Sequence, residues 1–313
     1  RLGELRGQEL AHLIELYRPK LVLVDHTPQG KHRELVSAVQ LSSTFDTRWI
    51  LGVRGVVGEV RQSGSELARQ LFSSHFHSLL WYGDSRVLGG SHIELLNQQY
   101  GCRAQECGYV LRLAEIDHWS RGDKPQGTRL AGTVSVPWLG ENSIIFLAEL
   151  AGTLRQLSPE LGAWHLYIGT DCSSEAAEQV AHLFAGLGHC RIKRPGSEYV
   201  GSLLNSRVAV IYGGYNSLMD VMYAQVPAIV VLREMQDDEQ RLHSLCLQQA
   251  ARELISPVSE SQVTGSELEQ LLADKFAQGN GSGHHINMDG APNAANYLES
   301  LLAEYKDAVE TER

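Results

Sequence analysis

The sequence predicts an α/β protein made of two doubly wound units, each a parallel sheet covered by helices. Strand-length apolar runs alternate with segments whose apolar residues recur at helical spacing. The runs are continuous or β-branched rather than alternating, the pattern of strands buried on both faces. The alternation stops once, in a polar stretch containing Gly and Pro, and then restarts. A length of 313 residues agrees with two units, since one domain takes roughly 150 residues.

In the first unit, an amphipathic stretch begins at Leu2, with Leu10, Leu13, Ile14 and Tyr17 at helical spacing. Residues 20–24 form an apolar run ending in Asp25. Residues 34–41 read as helix, 49–53 as strand, 65–72 as helix, and 79–82 as a strand running into Gly83-Asp84. The polar, aperiodic stretch 117–127 reads as a linker. The expected divisions are an N-terminal domain over 1–116, a linker over 117–128, a C-terminal domain over 129–292 and a last helix over 293–313.

In the second unit, strands are expected at 130–136, 164–168, 191–193, 208–212 and 228–232. Helices are expected at 143–154, 174–187, 237–251 and 266–272, and, after a glycine-rich loop at 278–290, at 294–305. Ser173 and Ser174 supply N-cap chemistry for the second of these helices. No internal repeat is visible, and right-handed crossovers in such a chain build open, doubly wound sheets.

Composition excludes several function classes. Acidic residues number 37 against 27 basic ones, for a net charge of -10, so binding nucleic acid through phosphate neutralisation is not expected. Adhesion to anionic membranes is disfavoured for the same reason. A small anionic ligand needs only a few local donors and is not excluded. No apolar run reaches membrane-spanning length, and the chain opens on Arg1 without a signal-peptide pattern. It therefore reads as cut rather than started. Five scattered cysteines, an odd number, suggest reduced thiols and a cytoplasmic protein. Cys102 and Cys107 are too far apart for a zinc knuckle, and His284–His285 read as a solvated loop, so no metal site is expected.

The sharpest local signal is Val208-Ala-Val-Ile-Tyr-Gly-Gly-Tyr-Asn-Ser-Leu-Met-Asp220. A strand runs into Gly213-Gly214, and a helix is expected to start near Asn216 or Ser217. Paired glycines let the backbone turn tightly, and a helix start offers N–H groups and partial positive charge to a phosphate. Asn216 and Ser217 add side-chain donors, and Asp220 lies one turn on, within reach of a hydroxyl. An ordinary strand-to-helix turn with Asn216 as N-cap explains the spacing equally well. The next strand ends at Arg233, with Glu239-Gln240 opening the following helix. Ligands of open α/β sheets bind beyond the carboxyl ends of strands, so Arg233, Glu239 and Gln240 are expected near Gly213. Arg233 suits a phosphate or sugar oxygen.

The run Tyr212-Gly-Gly-Tyr-Asn-Ser-Leu-Met-Asp220, with Pro227-Ala-Ile-Val-Val, Arg233 and Glu239-Gln240, resembles the nucleotide-sugar half of family 28-type glycosyltransferases. Within these it is most similar to bacterial predicted glycosyltransferases related to the peptidoglycan N-acetylglucosaminyltransferase. In the first half, Asp25-His-Thr-Pro-Gln-Gly30, Leu51-Gly-Val-Arg54, Trp81-Tyr-Gly-Asp84 and Cys107-Gly-Tyr-Val110 fall in that group's order. The resemblance covers residues 15–255.

It implies a GT-B fold, two Rossmann-like domains facing a cleft. It also implies that the N-terminal domain is incomplete in this chain, its first strand and glycine loop being expected before Arg1. It implies a metal-independent hexosyltransferase whose co-substrate is a nucleoside diphosphate sugar, a UDP-sugar first, with no other cofactor. Gly213, Gly214, Tyr215, Asn216 and Ser217 would line the sugar and diphosphate, and Asp220, where relatives carry Glu, the ribose. Gln240 and Glu239 would contact the transferred sugar, while Asp25 and His26 would line the cleft from the other domain. His26 is the candidate base, since imidazole titrates near neutrality; His75, His77 and His165 read as structural or surface residues. The last helix, through Tyr297, Leu301 and Leu302, is expected to pack back on the N-terminal domain.

Three departures stand out. Ser135-Val-Pro-Trp-Leu-Gly-Glu-Asn142 occupies the place of a glycine-rich turn and keeps only Gly140; Pro137 removes a donor. Gly55 follows Arg54 where relatives have Asp. The N-terminal glycine loop of the relatives is expected before Arg1. Two other functions therefore stay open: a nucleotide-sugar epimerase or hydrolase using Asp84 and Glu141, and a non-catalytic nucleotide-sugar-binding subunit. No sequence signal marks the acceptor or the oligomeric state.

Overall fold

The structure is a computed structural model that describes residues 2–56, 64–113, 129–169, 173–234, 238–279 and 285–311, with 305–311 as backbone only. The expected linker 117–128, Cys172 and His284 lie outside the described residues. The chain divides into two compact units, one of Arg1–Val110 with Ile286–Arg313 and one of Leu111–His285.

The first unit is a four-stranded parallel sheet in the order β1-β2-β3-β4. Its strands are β1 Leu21–Asp25, β2 Arg48–Arg54, β3 Phe76–Tyr82 and β4 Gln105–Glu106. Trp49, Ile50, Leu51, Leu79, Leu80 and Trp81 are buried, as the continuous apolar runs require. Helix α1 (Leu2–Tyr17) precedes β1. Helix α2 starts only at Val36 (Val36–Ser42), two residues later than expected. Residues 30–34 are spent on turns instead, with Gly30 and Arg33 at positive φ (77° and 62°). Helix α3 (Glu66–His75) begins where Ser65 caps it, its hydroxyl accepting from Ala68 N.

Short helix α4 (Ser85–Leu88) and helix α5 (Ser91–Tyr100) were not expected. Only Leu96 and Tyr100 of α5 are buried, so its apolar periodicity is faint. The last helix of the chain belongs to this unit: Ala294 and Leu301 pack with Ile50, Leu80 and Cys107, and Tyr297 lies against the same cluster. Leu302 stays 37% exposed.

The second unit is a six-stranded parallel sheet in the order β10-β9-β8-β5-β6-β7. The strands are β5 Leu130–Val136, β6 Trp164–Ile168, β7 Cys190–Lys193, β8 Ser206–Tyr212, β9 Ala228–Leu232 and β10 Ile255–Ser259. Its helices are α6 Glu141–Gln156, α7 Ser174–Leu183, α8 Glu198–Leu204, α9 Tyr215–Ala224, α10 Glu239–Ala250 and α11 Gly265–Gln278; α12, Gly290–Thr311, is the last helix named above. Ser173 caps α7 through its hydroxyl, as its position predicts. That helix stops at Leu183 rather than 187, and Gly186 then takes a φ of 78°.

Strand β10 and helix α8 were missed. Pro257 lies within β10, which bonds to β9 alone; a residue without an N–H is tolerated at such an edge. From β5 the chain winds one way through β6 and β7, then returns to place β8 on the other side of β5. The neighbouring carboxyl ends of β5 and β8 are therefore the topological switch point, where open α/β sheets bind ligands.

Candidate functional site

Two loops meet the switch point in the second unit. After β8 comes Gly213, whose N–H donates to Val231 O (3.1 Å). A Cβ there would lie 2.8 Å from Leu232 Cδ2 and 3.2 Å from Ser244 Oγ, so any side chain at this position obliges Leu232 to move. Gly214 is the N-cap of α9, with no side chain to cap the helix. The expected Asn216 N-cap is thus displaced by two residues, and Tyr215, Asn216 and Ser217 form the first turn. Space beside Gly214 is open, with nothing within 4 Å of a Cβ built there. Asn216 is exposed, and the Tyr215 ring stacks on buried His243 at 5.9 Å. The Ser244 hydroxyl is buried and has no hydrogen-bond partner among the described residues.

After β5 comes the loop that departs from the glycine-rich pattern. Gly140 caps α6, its N–H donating to Ser143 Oγ (2.6 Å). Arg233 fixes the rest of this loop. Its guanidinium lies between the rings of Trp138 (4.1 Å) and Tyr212 (4.4 Å). It donates to Trp138 O (2.8 Å) and Glu260 Oε1 (3.2 Å). The Tyr212 hydroxyl donates to the same carboxylate at 2.6 Å; burial, and then that bond, push its pKa up. Arg233 was expected to meet a phosphate or sugar oxygen. It instead stacks and pairs, leaving only Nη1 buried without a partner among the described residues. Arg233 and Gln240 share a pocket of about 460 Å³ with Asp238 and Ser259; Glu239 opens α10 beside it.

Asp220 is 1% exposed, and both of its oxygens accept from Arg112, one of them at 3.0 Å. Burial raises its carboxyl pKa and the guanidinium opposes the rise. The carboxylate expected to reach a hydroxyl is therefore covered by Arg112. No motif marks Arg112, Glu260 or Ser244, because each is brought in from a distant part of the chain.

In the first unit, Asp25 ends β1 and His26 follows it. Asp25 pairs with Arg54 at 3.2 Å, both exposed. His26 turns into positive φ (75°), its N–H donating to Gly52 O (2.8 Å). Its Nδ1 is buried without a partner among the described residues, and burial lowers its pKa, against the pull of Asp25. Asp84 is fully buried rather than at a ligand-facing edge, which corrects the expectation for an epimerase acid. It accepts from Arg86 N, Nε and Nη2 and from Asn287 N (2.6 Å). Glu141 lies exposed in the first turn of α6. Among the described residues no group of His, Cys, Asp or Glu is arranged to hold a metal ion. No helix among them is long and apolar enough to cross a membrane.

Two Rossmann-like parallel-sheet units in this order make a GT-B-type α/β protein. Solved structures share that fold. MurG from Acinetobacter baumannii is 12% identical, with 93% of this chain and 77% of that one covered at a TM-score of 0.54. A putative UDP-N-acetylglucosamine 2-epimerase from Listeria monocytogenes is 12% identical, with 96% and 78% covered at 0.63. The spinosyn rhamnosyltransferase SpnG, complexed with thymidine diphosphate, is 12% identical, with 88% and 73% covered at 0.53. No protein-family model matches the sequence, and no curated protein gives a significant match.

Proposed function

We propose that this chain is a glycosyltransferase that holds a nucleoside diphosphate sugar, a UDP-sugar first, at the carboxyl ends of β5 and β8. The observation that carries the reading is the uncapped start of α9 at the switch point. Gly214 faces open space there, and the unpartnered Ser244 hydroxyl sits beside Gly213. Breaking the bond between the anomeric carbon and the diphosphate leaves negative charge on the departing oxygen. The first-turn amides of Tyr215, Asn216 and Ser217 and the helix dipole meet that charge without reorganising. SpnG, of the same fold, is described with thymidine diphosphate, which supports a nucleoside diphosphate as ligand.

His26 is the proposed base for the acceptor hydroxyl. Burial lowers its pKa, so the imidazole is neutral and able to accept a proton at pH 7. The sugar-bearing side of the donor is assigned to Gln240, which lines a pocket with Arg233, and to Glu239 beside it.

A 2-epimerase reading is favoured by the higher TM-score of the Listeria structure, 0.63 against 0.54 for MurG. The burial of Asp84 removes one acid from it. Calorimetry with a panel of nucleoside diphosphates tests the site. Binding is expected for UDP or another single diphosphate, weakened about tenfold in Asn216→Ala, the order expected for one charge-assisted hydrogen bond. A folded chain that binds no nucleotide removes both readings. Turnover of the bound donor with and without an acceptor separates them: consumption that requires an acceptor is transfer, and acceptor-independent conversion is epimerisation or hydrolysis.

A further inference from the structure

A second cavity lies in the first unit, at the turn that follows β1, and the proposed donor site does not use it. It encloses about 780 Å³ and is lined by Lys31, His32 and Arg33, by Glu4 of α1, and by Ser65 and Leu67 at the start of α3. Three consecutive basic residues thus line one space in a protein whose net charge is -10. Among the described residues Arg48, Arg54, Arg69, Arg86, Arg112, Arg233 and Arg241 each close on an acid. No carboxylate within 4.0 Å takes up the Lys31 ammonium or the Arg33 guanidinium among the described residues.

The loop that carries them is held by its own backbone. Gly30 N donates to Thr27 O (3.1 Å), Arg33 N to Gly30 O (3.3 Å) and Leu35 N to Gln29 O (3.1 Å). The Glu34 carboxylate is occupied by His32 N at 2.6 Å. Gly30 and Arg33 both take positive φ; at Arg33, a residue with a Cβ, that conformation persists only where its surroundings hold it. Helix α1 braces the loop from outside: a Cβ at Gly3 would come within 2.7 Å of His32 O, and one at Gly7 within 3.1 Å of Glu34 O. The backbone that carries the two cations is therefore held in place.

We propose that this cavity binds a small molecule through an oxyanion group, phosphate or carboxylate, held by Lys31 and Arg33. Arg33 supplies a planar fork of donors and Lys31 a point charge, the pairing suited to such a group. The N-terminal end of α3, capped by Ser65 at the cavity wall, adds partial positive charge of the same sign. The proposal goes beyond the donor site. Under the transferase reading it also identifies the acceptor as an anion.

The test is calorimetry of the full chain at low salt with three ligands of matched size: glycerol 3-phosphate, glycerate and glycerol. Saturable binding of one or both anions, with none for glycerol, is expected. Glycerol 3-phosphate alone identifies phosphate as the recognised group; equal binding of glycerate identifies the shared oxyanion. Replacing both cations, Lys31→Gln with Arg33→Gln, is expected to weaken binding at least about tenfold. Glu4→Gln, which removes the one carboxylate on the wall among the described residues, is expected to tighten it about twofold. Opposite signs from two changes on one cavity are not the signature of lost folding. Absence of saturable anion binding in the parent, or unchanged affinity in the double variant, overturns the proposal. Nucleotide affinity measured on the same double variant is expected to be unchanged, so the fate of the donor site is read separately.

Discussion

Asp220 shows how much a single buried carboxylate depends on its partner. Its side chain is 1% exposed, while Arg112 keeps 48% of its own in solvent. Most of the desolvation therefore falls on the acid, and removing the guanidinium leaves a buried charge uncompensated. Arg112→Ala is expected to destabilise the protein by about 3 kcal/mol, read from urea unfolding. Replacing Asp220 by Asn in that background is expected to recover much of the loss, because the stranded charge is gone. If Arg112→Ala and the double variant unfold at the same urea concentration as the parent, the pair contributes nothing. The same contact decides a functional point. With its oxygens on Arg112, Asp220 meets a ribose only if Arg112 leaves, so the assignment made from its place in the motif concerns a covered group.

At the scale of elements, the loop after β5 is held in place by glycine on one side and by arginine on the other. Gly169 N donates to Val136 O (2.8 Å), and a Cβ at Gly169 would overlap the Pro137 carbonyl. On the other side Arg233 grips Trp138 by stacking and by a bond to its carbonyl. A loop that has lost most glycines of the expected turn is thus kept in register from outside itself. Gly169→Ala is expected to cost about 2 kcal/mol, since backbone rather than a flexible side chain must move. The measurement is the guanidinium midpoint, accompanied by nucleotide affinity. Unchanged stability would mean that the 137–140 segment shifts freely and that Arg233 does not anchor it.

The stability of the whole molecule carries a signature of Lys275 on α11. It is 2% exposed, and its ammonium donates to Glu253 O at 2.6 Å. Burial lowers its pKa to about 8 from 10.5. Below pH 8 the group is charged in both states, and the penalty for burying the charge is present in full. Between about 8 and 10.5 the folded chain releases the proton first. The unfolded chain then binds more protons, and stability rises with pH on this account. Other groups titrate in the same range, so the difference between the parent and Lys275→Met isolates it. The parent is expected to gain stability relative to the variant across that window. A difference that does not change with pH would remove the buried-lysine explanation.

Alternation of strand and helix, two sheets and a glycine turn at a strand end were legible in the chain because each is a local property of side-chain order. The strands at 130–136, 164–168 and 228–232 were read at their true bounds, since strands covered on both faces are apolar over most of their length. The edge strand with Pro257 and the half-exposed helix at 91–100 were not legible, because an edge or a narrow contact asks less of the sequence. Gly213–Ser217 could be nominated from spacing alone. What Asp220, Arg233 and Asp84 do could not, because their partners Arg112, Glu260 and Asn287 are 108, 27 and 203 positions away. Residue order determined where the backbone turns and which faces are apolar. Which charges are exposed, and which are neutralised in the interior, was decided only when distant segments packed together, since burial makes an unpaired charge too costly to leave.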